Sequence, residues 1–141
     1  MNRASVTVLL VEDNPIDREA VRRGFAKQRI ANTIIEAGDG YAALAHLRGT
    51  AEPRVERPYI LLVDLNMPRM NGIELITELR ADPSLRDSVV FVLTTSRSDE
   101  DRVASYNLNV AGYIVKTDVG PGFVRLVEML DRYWRIIELP T

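Results

Sequence analysis

Five polar residues in this chain have types that could act together on a phosphate group. Glu12, Asp13 and Asp64 carry carboxylates, and each lies just past a short apolar run. Thr94 and Lys116 follow two further runs and offer a hydroxyl and a positive charge. Gathered carboxylates repel unless a cation offsets them, and oxygen ligands with a nearby phosphate suit Mg²⁺. The set therefore predicts a joint site for Mg²⁺ and a phosphoryl group, with Asp64 as candidate nucleophile on phosphorus.

The apolar runs before these residues predict the strands of a parallel sheet. They are short and rich in β-branched residues and leucine, which is typical of strands covered on both faces. The carboxyl ends of parallel strands lie along one edge, where ligands bind. The predicted strands cover 6–11, 33–37, 59–63, 88–93 and 111–115. The predicted helices cover about 15–29, 42–47, 72–79, 99–108 and 123–138. This alternation predicts an α/β fold with a five-stranded doubly wound sheet.

Start signals precede several predicted helices. Asn14 before Pro15 predicts the start of the first helix, and Asp39 or Gly40 is the candidate cap of the second. The spacing of Ser98–Asp101 is that of a capping box for the fourth helix. That helix is poorly apolar, so we expect it to be one of the less stable elements. Its predicted core contacts are Val103, Ala104, Tyr106 and Leu108.

The composition argues against several classes of function. With 18 Lys and Arg against 20 Asp and Glu, the net charge of -2 provides no basic field to hold nucleic acid. Cys 0 and His 1 leave no thiolate or histidine metal site. No apolar run approaches the length of a membrane span, and a cytoplasmic location fits. The 141 residues predict one domain over 1–141, with a core over about 5–138.

The sequence resembles the response-regulator receiver domain, the CheY-like family. The resemblance rests on VLLVEDNPIDR, LLVDLNMPRMNG, VVFVLTTS and GYIVK, in that order along nearly the whole chain. It implies a flavodoxin-like sheet of strand order 2-1-3-4-5 and a signalling protein in place of an enzyme. It also implies that Asp64 accepts a phosphoryl group from the histidine of a sensor kinase. Glu12, Asp13 and Asp64 would hold Mg²⁺ together with the main-chain carbonyl of Asn66.

The same resemblance assigns roles to residues near the ends of the last two strands. Thr94, Thr95 and Lys116 would contact the phosphoryl group. Tyr113 falls at the family's aromatic switch position, where the ring turns inward when the Thr94 hydroxyl moves to the phosphate. The plainer interpretation of Tyr113 is a half-buried strand tyrosine.

One departure from the family pattern bears on the site. Receivers usually have a proline after the lysine, in a cis peptide bond, whereas Thr117 follows Lys116 here. A cis bond costs several times more without proline, so a trans bond could aim Lys116 differently. The departure leaves open a receiver that only docks to partners and is not phosphorylated.

A phosphohydrolase of the haloacid-dehalogenase type is the enzyme alternative. Such enzymes resemble receivers in their order of aspartate, threonine or serine, and lysine. They typically need a second aspartate two residues after the nucleophile as general acid. Asn66 occupies that position, and its amide cannot exchange a proton as a carboxyl group does.

The last predicted helix carries more apolar residues than one core stripe requires. Phe123, Leu126, Val127, Leu130, Trp134 and Ile137 form the stripe. Met129, Tyr133 and Ile136 lie beside it as a candidate homodimer surface or as a widened core. The single-domain form with Trp134 and the Leu139–Pro140 tail is similar to regulators that serve phytochrome-type histidine kinases.

Overall fold

The structure is a computed structural model that describes residues 6–141. Residue 5, where the predicted core begins, lies outside the described residues. The strands are β1 (Thr7–Val11), β2 (Ile34–Ala37), β3 (Tyr59–Val63), β4 (Val89–Thr94) and β5 (Gly112–Val115). The helices are α1 (Pro15–Lys27), α2 (Gly40–Arg48), α3 (Gly72–Ala81), α4 (Asp99–Asn107) and α5 (Val124–Ile136). Short 3₁₀ turns occupy Lys116–Asp118 and Pro121–Phe123.

The predicted sheet is confirmed in both direction and order. All the strand pairs are parallel, and the strand order is β2-β1-β3-β4-β5. Every residue of β3 is buried, because it runs through the middle of the sheet with helices on both faces. Among residues 6–141, no helix is long and apolar enough to cross a membrane.

Two apolar clusters cover the two faces of the sheet. Alternate strand residues point to opposite faces, so Ile60 and Leu62 join one cluster while Leu61 and Val63 join the other. The first cluster lies under α1 and α5, and the second lies under α2 and α3. The sheet is therefore packed against helices on both faces, and this packing fixes the positions of its strand ends.

Helices α1 and α2 both start directly after a polar residue that the sequence predicts as a candidate N-cap. The Asn14 side chain accepts the Ile16 N–H at 2.9 Å, as predicted for the start of α1. Asp39, and not Gly40, caps α2 by accepting the Ala42 N–H at 2.8 Å. Predicted and observed strand limits agree to within one residue.

Backbone conformation explains why two helices are shorter than predicted. α1 ends at Lys27, before Arg29, whose φ of 57° lies outside the right-handed helical region. Phe123 has a φ of 56°, so α5 starts one residue later than predicted, at Val124. Single residues with positive φ were not detectable in the apolar periodicity.

The core stripe of α5 is confirmed except at its ends. Leu126, Val127, Leu130 and Trp134 are buried. Phe123 is half-buried, and Ile137 is 39% exposed because the helix stops at Ile136 and the backbone turns extended. The prediction of Ile137 as a core residue was therefore wrong.

Helix α4 packs less on the core than predicted. Ser105 is the buried residue of the helix, while Val103 is 56% exposed and Tyr106 is 49% exposed. The prediction that Val103 and Tyr106 are core contacts was wrong. α4 lies beside β5, an edge strand whose residues are all only partly buried. The sheet therefore offers little apolar surface that could bury Val103 and Tyr106.

The predicted capping box of α4 forms only in part. The Ser98 side chain accepts the Asp101 N–H at 3.2 Å. The Asp101 carboxylate turns instead to the Ser96 hydroxyl, which donates to it at 2.6 Å. The start of α4 is thereby joined to the loop that follows β4.

Arg80 fixes the loop after α4 from the end of α3. Its guanidinium donates to the main-chain carbonyls of Leu108 at 2.7 Å and Asn109 at 3.1 Å. It also donates to the carbonyls of Arg86 at 2.7 Å and Ser88 at 2.8 Å, before β4. A guanidinium presents five N–H donors in a rigid fork, which suits such a cluster of carbonyls. The ends of α4 are therefore anchored even though its body is exposed.

Asp39 provides a test of how the loops at the sheet edge are stabilised. Asp39→Ala removes the cap of α2 and the ion pair with Arg69, and should lower the free energy of unfolding by about 1 kcal/mol. Asp39→Asn is the matched control, because its amide oxygen can still accept the Ala42 N–H. In urea unfolding, Asp39→Asn should lose less free energy of unfolding than Asp39→Ala. Equal losses in the two variants would contradict the capping role.

The same residue predicts a pH dependence. The Ala42 N–H is the main cause that lowers the pKa of Asp39, and Arg69 adds to it against the opposing effect of burial. A carboxyl group with a lowered folded pKa stabilises the protein above its unfolded pKa. That contribution is lost as the pH falls through the folded pKa. The stability difference between wild type and Asp39→Asn should thus shrink below about pH 4.

Candidate functional site

The polar residues singled out in the sequence meet at the carboxyl edge of the sheet. Asp64 follows β3 and is buried, and Glu12 follows β1 and is 2% exposed. Thr94 is the last residue of β4, and Lys116 follows β5. The predicted convergence is therefore present in the fold.

Close approach of a glycine fixes the loop that carries Asp64. A Cβ on Gly72 would lie 2.5 Å from the Asp64 carbonyl oxygen, so only glycine fits there without displacement. The Gly72 N–H donates to the Leu65 carbonyl at 3.0 Å. The Asn66 N–H donates to Asp64 Oδ1 at 3.2 Å, which orients the carboxylate and places the Asn66 peptide beside it.

Three carboxylates come close enough to share one cation. Oxygen atoms of Glu12, Asp13 and Asp64 all lie within 4.8 Å of one another. A cation with oxygen bonds of about 2.1–2.5 Å would span such a group with small adjustments. Asp13 is exposed, so one side of the cluster is open to solvent and to a phosphate. The donor set is all oxygen, which fits a hard divalent cation.

Lys116 lies among these carboxylates. Its Nζ is 2.5 Å from Glu12 Oε1, 2.7 Å from Asp17 Oδ2 and 3.5 Å from Asp64 Oδ2. The cis peptide bonds of residues 6–141 are both X–Pro bonds in the loop before β3, so the Lys116–Thr117 bond is trans. The trans bond still delivers the ammonium to the Asp64 carboxylate.

Burial and neighbouring groups shift the pKa of Glu12 and of Lys116. Burial is the main cause that raises the pKa of Glu12 to about 7, and nearby Asp64 raises it further against the effect of Lys116. Burial lowers the pKa of Lys116, but hydrogen bonds to Asp17 and Glu12 outweigh it and leave the pKa raised. The ammonium therefore stays charged while the carboxylates compete for it.

Thr94 and Tyr113 are linked through the loop after β4. Thr94 is fully buried, and its hydroxyl accepts the Ser96 N–H at 3.3 Å. The Tyr113 hydroxyl donates to the Ser96 carbonyl at 2.9 Å. Tyr113 is half-buried against the core, as predicted by its plainer interpretation as a strand tyrosine. Its hydroxyl also holds the loop that follows Thr94. Thr95, next in the chain, has an exposed side chain.

A second contact joins the loop after β4 to the turn after β5. Arg97 donates to Thr117 Oγ1 at 3.0 Å and to Asp118 Oδ1 at 2.7 Å. Thr117, which stands where the family usually has proline, thus uses its hydroxyl to hold the neighbouring loop. Both loops belong to the part of the edge that carries Thr94 and Lys116.

The sequence interpretation missed Asp17 and Ser96. Asp17 lies in the first turn of α1, where an acidic residue is favoured by the helix dipole, so its type gave no reason to place it in the site. Ser96 had no distinguishing pattern. Only the folded positions of Lys116 and Tyr113 reveal their contacts.

Comparison with known proteins identifies the family. The response regulator receiver domain family matches residues 8–126, most of the chain. The chain therefore belongs to the response regulator receiver domain family.

Two relatives resemble the chain over nearly its whole length. The response regulator Rcp1 of a Synechocystis species is 34% identical over 136 residues, which are 95% of this chain and 92% of that protein. The probable methanogenesis regulatory protein FilR2 of Methanothrix harundinacea is 34% identical over 127 residues, covering 90% and 82% of the two chains.

The solved structures that resemble this chain are also response regulators. The phosphorylated cyanobacterial phytochrome response regulator RcpA has a TM-score of 0.86 and 32% identity, covering 97% of this chain and 99% of that chain. The Mn²⁺-bound form of Rcp1 has a TM-score of 0.82 and 33% identity, covering 96% and 99%. The chain thus resembles single-domain phytochrome response regulators, in fold and in sequence.

Tyr113 provides a test of the network at the end of β4. Tyr113→Phe removes the bond to the Ser96 carbonyl and should lower the free energy of unfolding by about 0.5–1.5 kcal/mol. Tyr106→Phe, on the exposed face of α4, is the matched control and should change it by less than about 0.5 kcal/mol. Urea unfolding of both variants compares them, and equal effects would refute the role of the bond.

Proposed function

We propose that Asp64 is the phosphoacceptor of this receiver and that a sensor histidine kinase is its phosphodonor. The observation that carries the proposal is the arrangement around Asp64. Its carboxylate is buried at the sheet edge between two further carboxylates and the Lys116 ammonium. Such an arrangement suits phosphoryl transfer, which depends on positioning and charge neutralisation more than on covalent chemistry by the protein.

The proposed reaction is a simple transfer between two side chains. A carboxylate oxygen of Asp64 forms a bond to phosphorus while the bond from phosphorus to the kinase imidazole nitrogen breaks. The electron pair of the broken bond stays on that nitrogen. Lys116 would donate hydrogen bonds to the phosphoryl oxygens, and the hydroxyls of Thr94 and Thr95 are the further donors in the proposal.

We assign the metal position to Glu12, Asp13 and Asp64, with the main-chain carbonyl of Asn66 as the remaining protein ligand. The spacing of the three carboxylates and the all-oxygen donor set support a hard divalent cation. Mg²⁺ is the proposed ion, and when bound it would supply positive charge to the phosphoryl oxygens.

The proposed output is a shift in population of the face around α4. The Thr94 hydroxyl now accepts a bond from Ser96, whose carbonyl is held by Tyr113. If the hydroxyl turns to donate to a phosphoryl oxygen, the loop and the ring of Tyr113 lose their present arrangement. Because α4 buries little, its rearrangement costs little free energy.

The input is proposed to be a phytochrome-type histidine kinase in the cytoplasm. The likeness to RcpA, which is described as a cyanobacterial phytochrome response regulator, supports this assignment. The chain is proposed to act as a single receiver domain with a core over about 5–138. Leu139 is also buried against the α5 side of the sheet, so the packed region reaches one residue further.

The two alternatives have less support. A phosphohydrolase would need a general acid at Asn66, but the residue there is an exposed amide. A receiver that only docks would not require Lys116 to lie 3.5 Å from Asp64. We therefore propose a signalling protein that is not an enzyme.

We further propose a homodimer through α5. Ile136 is 75% exposed, and Met129 and Tyr133 are only partly buried. They line a surface hollow of 490 Å³ that also contains Arg125, Glu128, Arg132 and Ile137. The hollow combines apolar surface with charges of both signs, so a second copy related by a two-fold axis would find complementary groups. Tyr133 packs edge-on against Phe91, with 5.0 Å between the ring centres, so it also serves the core.

Labelling with a small phosphodonor tests the phosphoacceptor. Acetyl phosphate with Mg²⁺ should add one phosphoryl group to the wild type, measured by intact mass. Asp64→Asn should gain none, because an amide oxygen is too weak a nucleophile to form the acyl phosphate. Asp131→Asn is the matched control on α5, where Asp131 pairs with Arg135, and it should be labelled like the wild type. Labelling of Asp64→Asn to the same extent would refute the assignment.

Sedimentation tests the dimer. With a beryllofluoride phosphoryl mimic, the wild type should sediment as a dimer at roughly tens of micromolar, and Ile136→Asp should sediment as a monomer. Ile16→Asp is the matched control, because Ile16 is also 75% exposed but lies on α1. A wild type that stays monomeric would exclude the α5 dimer.

A further inference from the structure

Asp17 is an acidic group at the site that has no place in the proposed metal set. It lies in the first turn of α1, and its Oδ2 accepts from Lys116 Nζ at 2.7 Å. That distance is shorter than the 3.5 Å between the same ammonium and Asp64. The Lys116 ammonium therefore lies closer to the Asp17 carboxylate of α1 than to the carboxylate of the proposed phosphoacceptor, Asp64.

The other near partner of Lys116 is already engaged in the carboxylate cluster. Glu12 Oε1 is 2.5 Å from the ammonium, but Glu12 also belongs to the group that could hold a cation. Asp17 is outside that group. With Glu12 engaged by a cation, Asp17 would remain as the carboxylate that retains Lys116. The competition for the ammonium is then between Asp17 and the phosphoryl group on Asp64.

The N-terminus of α1 does not depend on Asp17 for its cap. Asn14 accepts the Ile16 N–H, and Pro15 occupies the first helical position. An acidic side chain in a first turn makes only a modest favourable interaction with the helix dipole. The short contact to Lys116, across 99 residues of sequence, is the feature that a helix-dipole role does not explain.

We propose that Asp17 is a positioning residue that holds Lys116 back from the phosphoryl group on Asp64, and so limits how much phosphorylated protein accumulates. The inference rests on the phosphoacceptor role proposed for Asp64. A negative charge this close to a phosphoryl dianion also repels it directly. Both effects lower the population of the phosphorylated form.

Asp17→Asn tests the inference, because the amide has the same shape and removes the charge. With limiting acetyl phosphate and Mg²⁺, its steady-state ratio of phosphorylated to unphosphorylated protein should rise about threefold to tenfold over the wild type. After dilution into excess EDTA, its phosphoryl group should also persist at least about twofold longer, since the freed Lys116 remains as a donor.

Two variants separate positioning from a general effect of charge. Glu19→Gln removes one charge from the same helix, where Glu19 pairs with Arg23, and should match the wild type. Asp17→Glu restores a carboxylate within reach of the flexible lysine and should also behave like the wild type. Urea unfolding should give all three variants midpoints close to that of the wild type, so that stability does not explain the differences.

Each outcome bears on one level of the proposal. If the wild type is labelled and Asp17→Asn shows an unchanged ratio and lifetime, the role of Asp17 is refuted while that of Asp64 stands. An equal rise in Glu19→Gln would also overturn the role of Asp17. If the wild type is not labelled at all, the proposed phosphoacceptor fails, and the inference fails with it.

Discussion

The crowding of carboxylates around one ammonium is the constraint on which the site depends. Glu12 and Asp64 are buried, and burial raises the pKa of Glu12. Lys116 offsets part of their charge through contacts of 2.5 Å to Glu12 and 3.5 Å to Asp64. The remaining excess of negative charge is unfavourable without a cation. A site that is incompletely neutralised in this way favours the binding of a metal ion.

The fold supports this arrangement with unequal rigidity. Lys116 and Glu12 are 104 residues apart in sequence, and only parallel strands packed between two helical layers bring their ends together. The half of the edge that holds Asp64 is tightly fixed by the buried strand β3 and by Gly72. The half beyond β4 is held by polar contacts around Ser96 and by the little-buried α4. The proposed phosphoacceptor thus lies on the rigid side of the edge, and the proposed conformational response lies on the other side.

The sheet and most of the site were predictable because they rest on strong local patterns. Apolar runs that end in polar residues predict strand ends, and Asn14 before Pro15 predicts a helix start. The contact between Asp17 and Lys116 was not predictable, because an acid in a first turn is common and Lys116 is 99 residues away. The exposure of Val103, Tyr106 and Ile137 also depended on tertiary packing, which apolar spacing alone does not determine.

Chemical mapping of the phosphoryl group tests the role of Asp64 most directly. Borohydride reduces an acyl phosphate to an alcohol, so an aspartyl phosphate becomes homoserine that peptide sequencing by mass spectrometry can locate. Protein labelled by a histidine kinase should carry homoserine at position 64 and retain aspartate at position 13. Homoserine at position 13, or a phosphoryl group that resists borohydride, would contradict the assignment of Asp64 as the phosphoacceptor.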